Sequence, residues 1–253
     1  MVFEKYAQYY DLLYQDKDYQ AETDYILSLI KKYQPETRQI LEFGSGSGIH
    51  GRILANAGFY VSGIERSQEM IDLGLSSNQE KDQTASFSCT QGDCTSTILG
   101  DDFDTVISLF HVLSYQTSNE EVLAMLKNAH RQLNPGGIFI FDYWYAPAVW
   151  NLGPTLRVKR VQNQQLAITR IAEPKCFRER NIVQVNYQTF VEDLKSNHIS
   201  EIKETHEMRA FETDEIEEFA NQTGFALLHS EEWMTGHTPS NETWGVCTVL
   251  QKN

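Results

Sequence analysis

Hydrophobic and polar positions along the first half of the chain repeat in an order of strand followed by helix. A helical pattern at 18–33 precedes an apolar run at 39–43 that predicts a buried strand, and helical spacing resumes at 49–57. The same rhythm predicts strands at 60–64, 86–89, 105–109 and 137–141 and helices at 68–75 and 119–133. Strands separated by helices are typical of a parallel, doubly wound sheet.

The pattern changes at about residue 155. Segments of β type with no helical pattern between them are predicted at 156–161, 166–171, 182–191 and 199–208, followed by a helix at 213–222 and strands at 225–230 and 243–250. We therefore expect an α/β fold with a Rossmann-like, doubly wound, mostly parallel seven-stranded sheet and an antiparallel β cap inserted after strand five. In this interpretation residues 1–154 and 211–253 form the core, and residues 155–210 form the cap.

Charge and composition exclude several classes of function. The formal net charge of −14 repels polyanions, so we expect no nucleic-acid partner. No apolar run is long enough to cross a bilayer and the first residues lack a secretory pattern, so we expect no membrane association and a cytoplasmic location. The cysteines lack the spacing of a zinc site, which predicts free thiols and no metal at Cys89, Cys94, Cys176 and Cys247.

Small residues follow the first predicted strand, in the segment 42–48 (EFGSGSG). Such a turn brings backbone close to a ligand and aims the first amides of the next helix at a negative group. Glu65 ends the second strand near the ~20-residue offset at which an acid binds ribose hydroxyls, and Asp93 follows the third strand, where an adenine amino group is within its reach. Taken singly, these features are equally typical of a tight connection, a capping acid and a turn aspartate.

In combination, these motifs resemble class I S-adenosylmethionine (SAM) dependent methyltransferases. The resemblance rests on the order and spacing of segment 42–48, Glu65, the pair 92–93 and the segment 134–137 (NPGG) before strand five. Dehydrogenases that bind nicotinamide dinucleotides usually carry GxGxxG at this turn, which makes them the weaker alternative.

The resemblance implies SAM as the cofactor and S-adenosylhomocysteine (SAH) as its product. Glu42 would hold the methionine amino group, Glu65 the ribose, and Asp93 and Cys94 would border the adenine. The full set of cofactor contacts that it implies is Tyr10, Tyr14, Tyr19, Glu42, Gly44, Ser45, Gly46, Gly48, Glu65, Arg66, Met70, Gly92, Asp93, Cys94, Leu109 and Phe110.

Three further segments resemble bacterial enzymes that methylate the amine of nucleotide-linked amino sugars. They are residues 9–19 (YYDLLYQDKDY), 141–145 (FDYWY) and 204–209 (ETHEMR). Those enzymes have a histidine a few positions past the strand-four phenylalanine, where this chain has Tyr115, whereas His111 directly follows Phe110. The catalytic candidates are therefore His111, Tyr115 and Tyr14, and a histidine that only binds a backbone carbonyl is an equal alternative for His111.

Aromatic and basic residues suggest where an acceptor would bind. The aromatic run 143–145 is expected to follow strand five at the ligand-binding edge of the sheet. The cap segment carries seven basic residues between 157 and 180 against two acids, and such side chains suit the diphosphate of a nucleotide sugar, although a solvated strand face explains them as well. The candidate substrate residues are Tyr143, Trp144, Tyr145, Arg157 and Arg160.

The expected function is transfer of methyl from SAM to a small polar acceptor, best assigned as the amine of a nucleotide-linked amino sugar. The alternatives are O-methylation of a small molecule or glycan precursor and, ranked lower, a SAM-binding regulator without catalysis. An exposed edge of the inserted sheet leaves a homodimer open.

Overall fold

The first part of the chain alternates between strands and helices, as the sequence predicts. The computed structural model describes residues 7–76 and 86–253. The elements of the first part are α1 (Ala7–Leu13), α2 (Tyr19–Tyr33), β1 (Gln39–Phe43), α3 (Ile49–Asn56), β2 (Tyr60–Glu65), α4 (Gln68–Ser76), β3 (Phe87–Gln91), β4 (Phe103–Ser108), a 3-10 turn (Val112–Tyr115), α5 (Asn119–Gln132), β5 (Leu133–Tyr145) and α6 (Ala146–Leu152).

The second part is mostly β-structure. It contains β6 (Arg157–Gln162), β7 (Leu166–Phe177), a 3-10 turn (Arg178–Arg180), β8 (Ile182–Asp193), β9 (His198–Phe211), α7 (Thr213–Gln222), β10 (Phe225–Glu232) and β11 (Gly245–Lys252).

The core sheet has the strand order β3-β2-β1-β4-β5-β11-β10, which is seven strands. Strands β3, β2, β1, β4 and β5 run parallel, and β11 runs antiparallel between β5 and β10. The α/β fold with a mostly parallel, doubly wound sheet is confirmed. Because β1 lies between β2 and β4, the carboxyl ends of these three strands meet at one edge of the sheet, where ligands bind in such folds.

Both faces of this sheet are covered, because successive strand residues point to opposite sides. On one face, Phe139 and Phe141 of β5 pack against α5 and α7. On the other face, Ile138 and Ile140 of the same strand pack against α2 and α3. Among the described residues, no helix is long and apolar enough to cross a bilayer.

Strands β6 to β9 form the antiparallel sheet that the sequence places after strand five. This sheet joins the core through two residue pairs, Trp144 with Ala210 and Tyr145 with Phe211, in parallel register. The inserted strands therefore continue from β5 and lie beside the ligand-binding edge of the core sheet.

Differences from the sequence prediction include two short helices and the end of strand β5. Helix α1 is not among the predicted elements, because its seven residues are too short for a clear period. It is stabilised by tertiary packing, with Leu13 fully buried against the inserted sheet. Helix α6 was not predicted, although Pro147 in its first turn and Gly153 after its end are typical helix signals. Strand β5 continues to Tyr145 because β11 pairs with it as far as Trp144, so the aromatic run lies within the strand and does not follow it.

Candidate active site

The glycine turn between β1 and α3 has the backbone conformation that its sequence implies. Gly44, Gly46 and Gly48 have positive φ angles of 68°, 56° and 74°. A Cβ atom on Gly44 would lie 2.5 Å from Val112 Cγ2, so both the backbone angle and the available space require glycine there. The turn therefore presents bare backbone at the carboxyl end of β1.

Glu65 at the end of β2 holds this turn in place. Its two carboxylate oxygens accept hydrogen bonds from the Gly46 amide at 2.8 Å and from the Ser67 amide at 2.9 Å. Met70 is buried beneath the turn, with its terminal carbon 3.5 Å from the Cβ position of Gly46. Each carboxylate oxygen of Glu65 still has lone-pair capacity, so the bonds to the turn are compatible with the expected contact to a ribose.

Glu42 is a buried acid with unused bonding capacity. The residue is 2% exposed, and its Oε2 atom has no hydrogen-bond partner among the described residues. Burial, reinforced by the nearby Glu65 carboxylate, raises the pKa of Glu42 to about 8. A buried carboxyl group in this state suits a ligand that brings a positive charge, as the methionine ammonium of SAM does.

Asp93 lies in the loop after β3, on the side where the resemblance places adenine. Its carboxylate accepts from the Thr95 amide at 2.8 Å and pairs with Arg66 at 2.5 Å. Although burial raises the pKa of Asp93, the hydrogen bonds from Thr95 and Arg66 outweigh it and hold that pKa below its usual value. The Gly92 amide donates to the Glu65 carbonyl at 2.9 Å, so this loop is attached directly to the end of β2.

Helix α5 fixes the continuation of the same loop. The Asn128 amide group donates to the carbonyls of Cys94 and Thr97, both at 2.8 Å. Cys94 is buried, and burial raises the pKa of its thiol to about 12, so it forms part of the wall as a neutral group. The structure thus brings the predicted adenine-side residues together and adds Asn128 as their support.

The end of β4 has an unusual backbone. Leu109 is buried, and the next two residues, Phe110 and His111, have positive φ angles of 67° and 63°. Such angles are uncommon for residues other than glycine and occur often at functional sites. Asp142 of β5 holds His111 in this conformation, since its carboxylate accepts from the His111 amide at 3.0 Å and lies 2.6 Å from His111 Nδ1.

His111 and Asp142 form a histidine–carboxylate pair that the sequence interpretation did not include. Asp142 is 1% exposed; burial raises its pKa, but attraction and hydrogen bonding to His111 outweigh burial and lower it. With Nδ1 against the carboxylate, the Nε2 atom is the ring nitrogen that remains for a ligand. The signal for Asp142 was an acid inside the apolar strand IFIFD, a position where a charge requires a partner.

Aromatic side chains of the N-terminal segment cover Phe110. The Tyr14 ring meets the Phe110 ring edge-on at 5.2 Å and packs against Tyr10 at 4.7 Å. The Tyr14 hydroxyl also accepts a hydrogen bond from Arg170 of the inserted sheet at 3.1 Å. Tyr19 lies further along, with its ring 5.0 Å from that of His50 on α3. Tyr10 and Tyr14 therefore lie between the core and the inserted sheet, whereas Tyr19 packs on the core.

The aromatic residues of β5 separate into two groups. Tyr143 is fully buried and contacts Phe211 in the core, so it does not face a ligand. Trp144 points to the other face of the strand, where its ring lies 6.2 Å from His111 and 5.5 Å from Trp244. Trp244, which precedes β11, was not singled out from the sequence. Tyr145 is half-buried beside the core cluster.

Tyr115 connects the end of the 3-10 turn to the inserted sheet. Its hydroxyl lies 2.9 Å from His206 Nδ1, and the His206 ring packs against Tyr187 at 4.9 Å. Burial raises the pKa of Tyr115 well above its usual value, so the phenol stays protonated at neutral pH.

The two predicted arginines lie on opposite faces of β6. Arg157 pairs with Ala172, and Ala172 pairs with Tyr187, so these three residues share the face that Tyr187 turns toward His206. Arg160 pairs with Thr169 and points to the other face. Only Arg157 of the two is placed on the side of the candidate site.

Comparison with known proteins gives one family and several relatives. Residues 40–137 match the family model described as a methyltransferase domain. The dTDP-3-amino-3,4,6-trideoxy-alpha-D-glucopyranose N,N-dimethyltransferase of Streptomyces venezuelae is 28% identical over 144 residues, which cover 56% of this chain and 58% of that protein. The dTDP-3-amino-3,6-dideoxy-alpha-D-glucopyranose N,N-dimethyltransferase of Streptomyces fradiae is 24% identical over 223 residues, which cover 87% of this chain and 84% of that protein.

A solved structure has the same fold over nearly its whole length. The SAM-bound structure of CalS10, an amino pentose methyltransferase from Micromonospora echinaspora, matches with a TM-score of 0.75 and 19% identity, covering 100% of this chain and 98% of that one. At this identity the match establishes the fold.

Proposed function

This chain is a SAM-dependent methyltransferase with a methyltransferase domain at residues 40–137, and from that premise we propose that it methylates the amine of a nucleotide-linked amino sugar. Two of its relatives are named as N,N-dimethyltransferases of dTDP-linked amino sugars, and one of them aligns with 87% of this chain. Residues 155–210 act as the substrate cap in this proposal. A cytoplasmic location and a homodimer remain predictions from the sequence.

When bound, SAM supplies an activated methyl group on a sulfonium. The task of the chain is therefore to orient donor and acceptor and to exclude water. Glu42 and the turn at Gly44–Gly48 bind the methionine end, and Glu65 binds the ribose. The loop from Asp93 to Cys94 borders the adenine, which leaves Phe110 and His111 at the reacting end of the site.

The single observation that carries the catalytic part of the proposal is the pair of His111 and Asp142. A protonated amine has no lone pair for attack, so it must lose a proton before or during methyl transfer. Asp142 fixes the ring of His111 through Nδ1 and leaves Nε2 to take that proton. Tyr14 is the second candidate for contact with the acceptor, because its ring touches Phe110.

The walls of the acceptor site suit a sugar attached to a diphosphate. Trp144 lies beside His111 and Trp244 packs against Trp144, and flat apolar rings of this kind suit a sugar ring. Arg157 shares its face of the inserted sheet with Lys159 and Arg170, because these strands are paired in register. A row of cations at the edge of the site favours an acceptor with a negative group at its far end.

The pair of His111 and Asp142 also favours O-methylation as a second candidate function. A hydroxyl group is a much weaker acid than an alkylammonium group and needs a base more strongly during attack. A histidine held by a buried carboxylate is an arrangement that supplies such a base. The acceptor assay must therefore include hydroxylated sugars as well as amino sugars.

The proposal is tested by incubating the wild-type protein with SAM and a panel of nucleotide-linked amino and hydroxy sugars, with mass spectrometry of the acceptors. We expect one or two added methyl groups on an amino sugar, together with matching release of SAH. Methylation of a hydroxy sugar alone would establish the second candidate. SAH release with no methylated member of the panel would place the acceptor outside nucleotide-linked sugars.

Asp142→Asn tests the role of the pair directly. We expect kcat to fall by about 10²–10³-fold, since the amide no longer balances a positive charge on His111. SAH affinity, measured by calorimetry, should stay close to the wild-type value because Asp142 is assigned to the acceptor side. The control is Asp101→Asn, which removes an exposed carboxylate far from the site. An Asp142→Asn enzyme with wild-type kcat would remove His111 from the proton-transfer role.

A further inference from the structure

Lys17 is a largely buried lysine in the candidate site. Its side chain is only 11% exposed, and its ammonium lies 2.7 Å from the Glu22 carboxylate. The same ammonium lies 4.0 Å from the centre of the Phe110 ring and 4.4 Å from that of Tyr19. Lysine is almost never buried to this extent without a paired anion, and one ion pair satisfies only part of its three N–H donors.

A line of polar groups joins Lys17 to Glu42. Glu22 Oε2 lies 2.8 Å from His50 Nε2, and His50 Nδ1 lies 4.0 Å from Glu42 Oε1. The positive charge of Lys17 partly opposes the rise in the pKa of Glu42 that burial causes. Lys17 and Glu42 thus act on the same small volume at the ends of β1 and β4.

The methionine end of SAM carries an ammonium, a carboxylate and a sulfonium. Glu42 is the acid suited to the ammonium, so the carboxylate requires a cation nearby. In the described part of the chain, two other cations close to this volume have partners elsewhere. Arg52 donates to the carbonyls of Ser47 and Gly74, at 2.8 and 3.3 Å, and Arg66 pairs with Asp93.

We propose that Lys17 binds the methionine carboxylate of SAM and that Glu22 is the positioning residue that holds the ammonium in the site. Through Lys17, cofactor binding depends on the N-terminal segment. The neighbouring residues of that segment contact the inserted sheet: Asp16 pairs with Lys159 at 2.6 Å, and Tyr14 accepts from Arg170. Cofactor binding at Lys17 therefore orders a segment that also borders the acceptor site.

The test compares ligands that keep or lack the carboxylate, in the absence of any acceptor. SAH and SAM carry it, whereas decarboxylated SAM keeps the sulfonium and the amine without it. For Lys17→Met, calorimetry should show SAH and SAM binding about 10–100-fold more weakly, which is the size expected for a lost charge-assisted hydrogen bond. Decarboxylated SAM should bind the variant as tightly as it binds the wild type, or more tightly.

Two controls accompany this comparison. Lys31→Met removes an exposed lysine from the same N-terminal region and should leave all three affinities unchanged. Lys17→Arg keeps the positive charge and should recover most of the SAH affinity. If Lys17→Met loses its thermal unfolding transition, Lys17→Gln, which keeps a polar group at this position, replaces it.

Either of two results overturns the inference. An equal loss of affinity for all three ligands means that Lys17 only attaches the N-terminal segment, and unchanged SAH affinity means that another group binds the carboxylate. Because no acceptor is present, these results are independent of whether the acceptor is an amino sugar. A wrong acceptor assignment would leave this difference between ligands intact.

Discussion

At the scale of single residues, the site contains ionisable side chains that are already buried in the absence of a ligand. Asp142 has its partner within the chain, whereas Glu42 has none for Oε2 among the described residues. Burying an ionised carboxylate in that environment costs free energy. The pKa of Glu42 is therefore raised to about 8, and the group keeps its proton at neutral pH. If the methionine ammonium of SAM binds at Glu42, as proposed, it reverses this preference, and Glu42 loses its proton on cofactor binding.

Glu42 makes the stability of the ligand-free protein depend on pH. In the unfolded chain this glutamate releases its proton near its ordinary pKa, whereas in the folded protein its pKa is about 8. At pH values between these two pKa values, the folded state therefore binds one more proton than the unfolded state. Stability contributed by this group therefore falls as pH rises through that window, by on the order of a few kcal/mol. Glu42→Gln lacks this titration, so we expect it to melt close to the wild type at pH ~5 and at a higher temperature at pH ~8.5.

The same variant has the opposite effect on binding. Wild-type affinity for SAH should increase from pH ~6 to ~8, because Glu42 must ionise to face the ammonium. Glu42→Gln should bind more weakly and lose this pH dependence. Scanning fluorimetry and calorimetry measure the two effects, with the exposed Glu36→Gln as the control. A wild-type affinity that does not vary over this range would show that Glu42 does not contact the ammonium.

At the scale of elements, helix α5 supports the loop that the sequence interpretation assigns to the adenine side of the site. Its start is fixed by a capping box in which Ser118 and Glu121 exchange hydrogen bonds with each other's backbone amides. Further along, Asn128 donates to the carbonyls of Cys94 and Thr97. The capping box stabilises the helix, whereas Asn128 fixes the position of the loop relative to the helix.

Two substitutions in α5 separate these functions. Asn128→Ala removes the side-chain donor from the buried Cys94 carbonyl, whereas the Thr97 carbonyl keeps the Gln132 amide at 3.2 Å. We expect the free energy of unfolding to drop by roughly 1–3 kcal/mol and SAH affinity to fall. Ser118→Ala removes one cap bond and should cost about 1 kcal/mol with no change in SAH affinity. Urea unfolding and calorimetry provide the comparison. If both variants bind SAH equally well, the loop does not depend on α5 for its binding conformation.

Local chemistry explains which elements the sequence could predict. The turn at 42–48 was recognisable because glycines at positive φ and a strand-to-helix change are encoded within a few residues. The partnership of His111 with Asp142 was not, because it depends on how β4 and β5 align, with Ser108 beside Phe141. Lys17 lies in the irregular stretch between α1 and α2, where no period indicates the direction of a side chain.

At the scale of the whole molecule, one long strand unites the two sheets. Strand β5 pairs with β4 and β11 in the core and then, through Trp144 and Tyr145, with the end of β9. The N-terminal segment packs between the two sheets, with Leu13 in contact with Ile168 and Val191. Composition revealed the basic cap segment, but only strand register decides which of its side chains face the site.

That register gives the last prediction. Arg157 is on the face of β6 shared with Tyr187 across the sheet, and Arg160 is on the opposite face. If this face binds the diphosphate of the acceptor, Arg157→Gln should raise the apparent KM for a nucleotide-linked sugar about tenfold, the size expected for one charge-assisted contact. Arg160→Gln removes the same charge three residues away and should leave KM unchanged, while SAH affinity stays constant in both variants. Steady-state kinetics at a fixed SAM concentration measures KM for both variants. Equal increases in KM would indicate long-range attraction by the basic segment as a whole. No increase in either variant would place the diphosphate elsewhere.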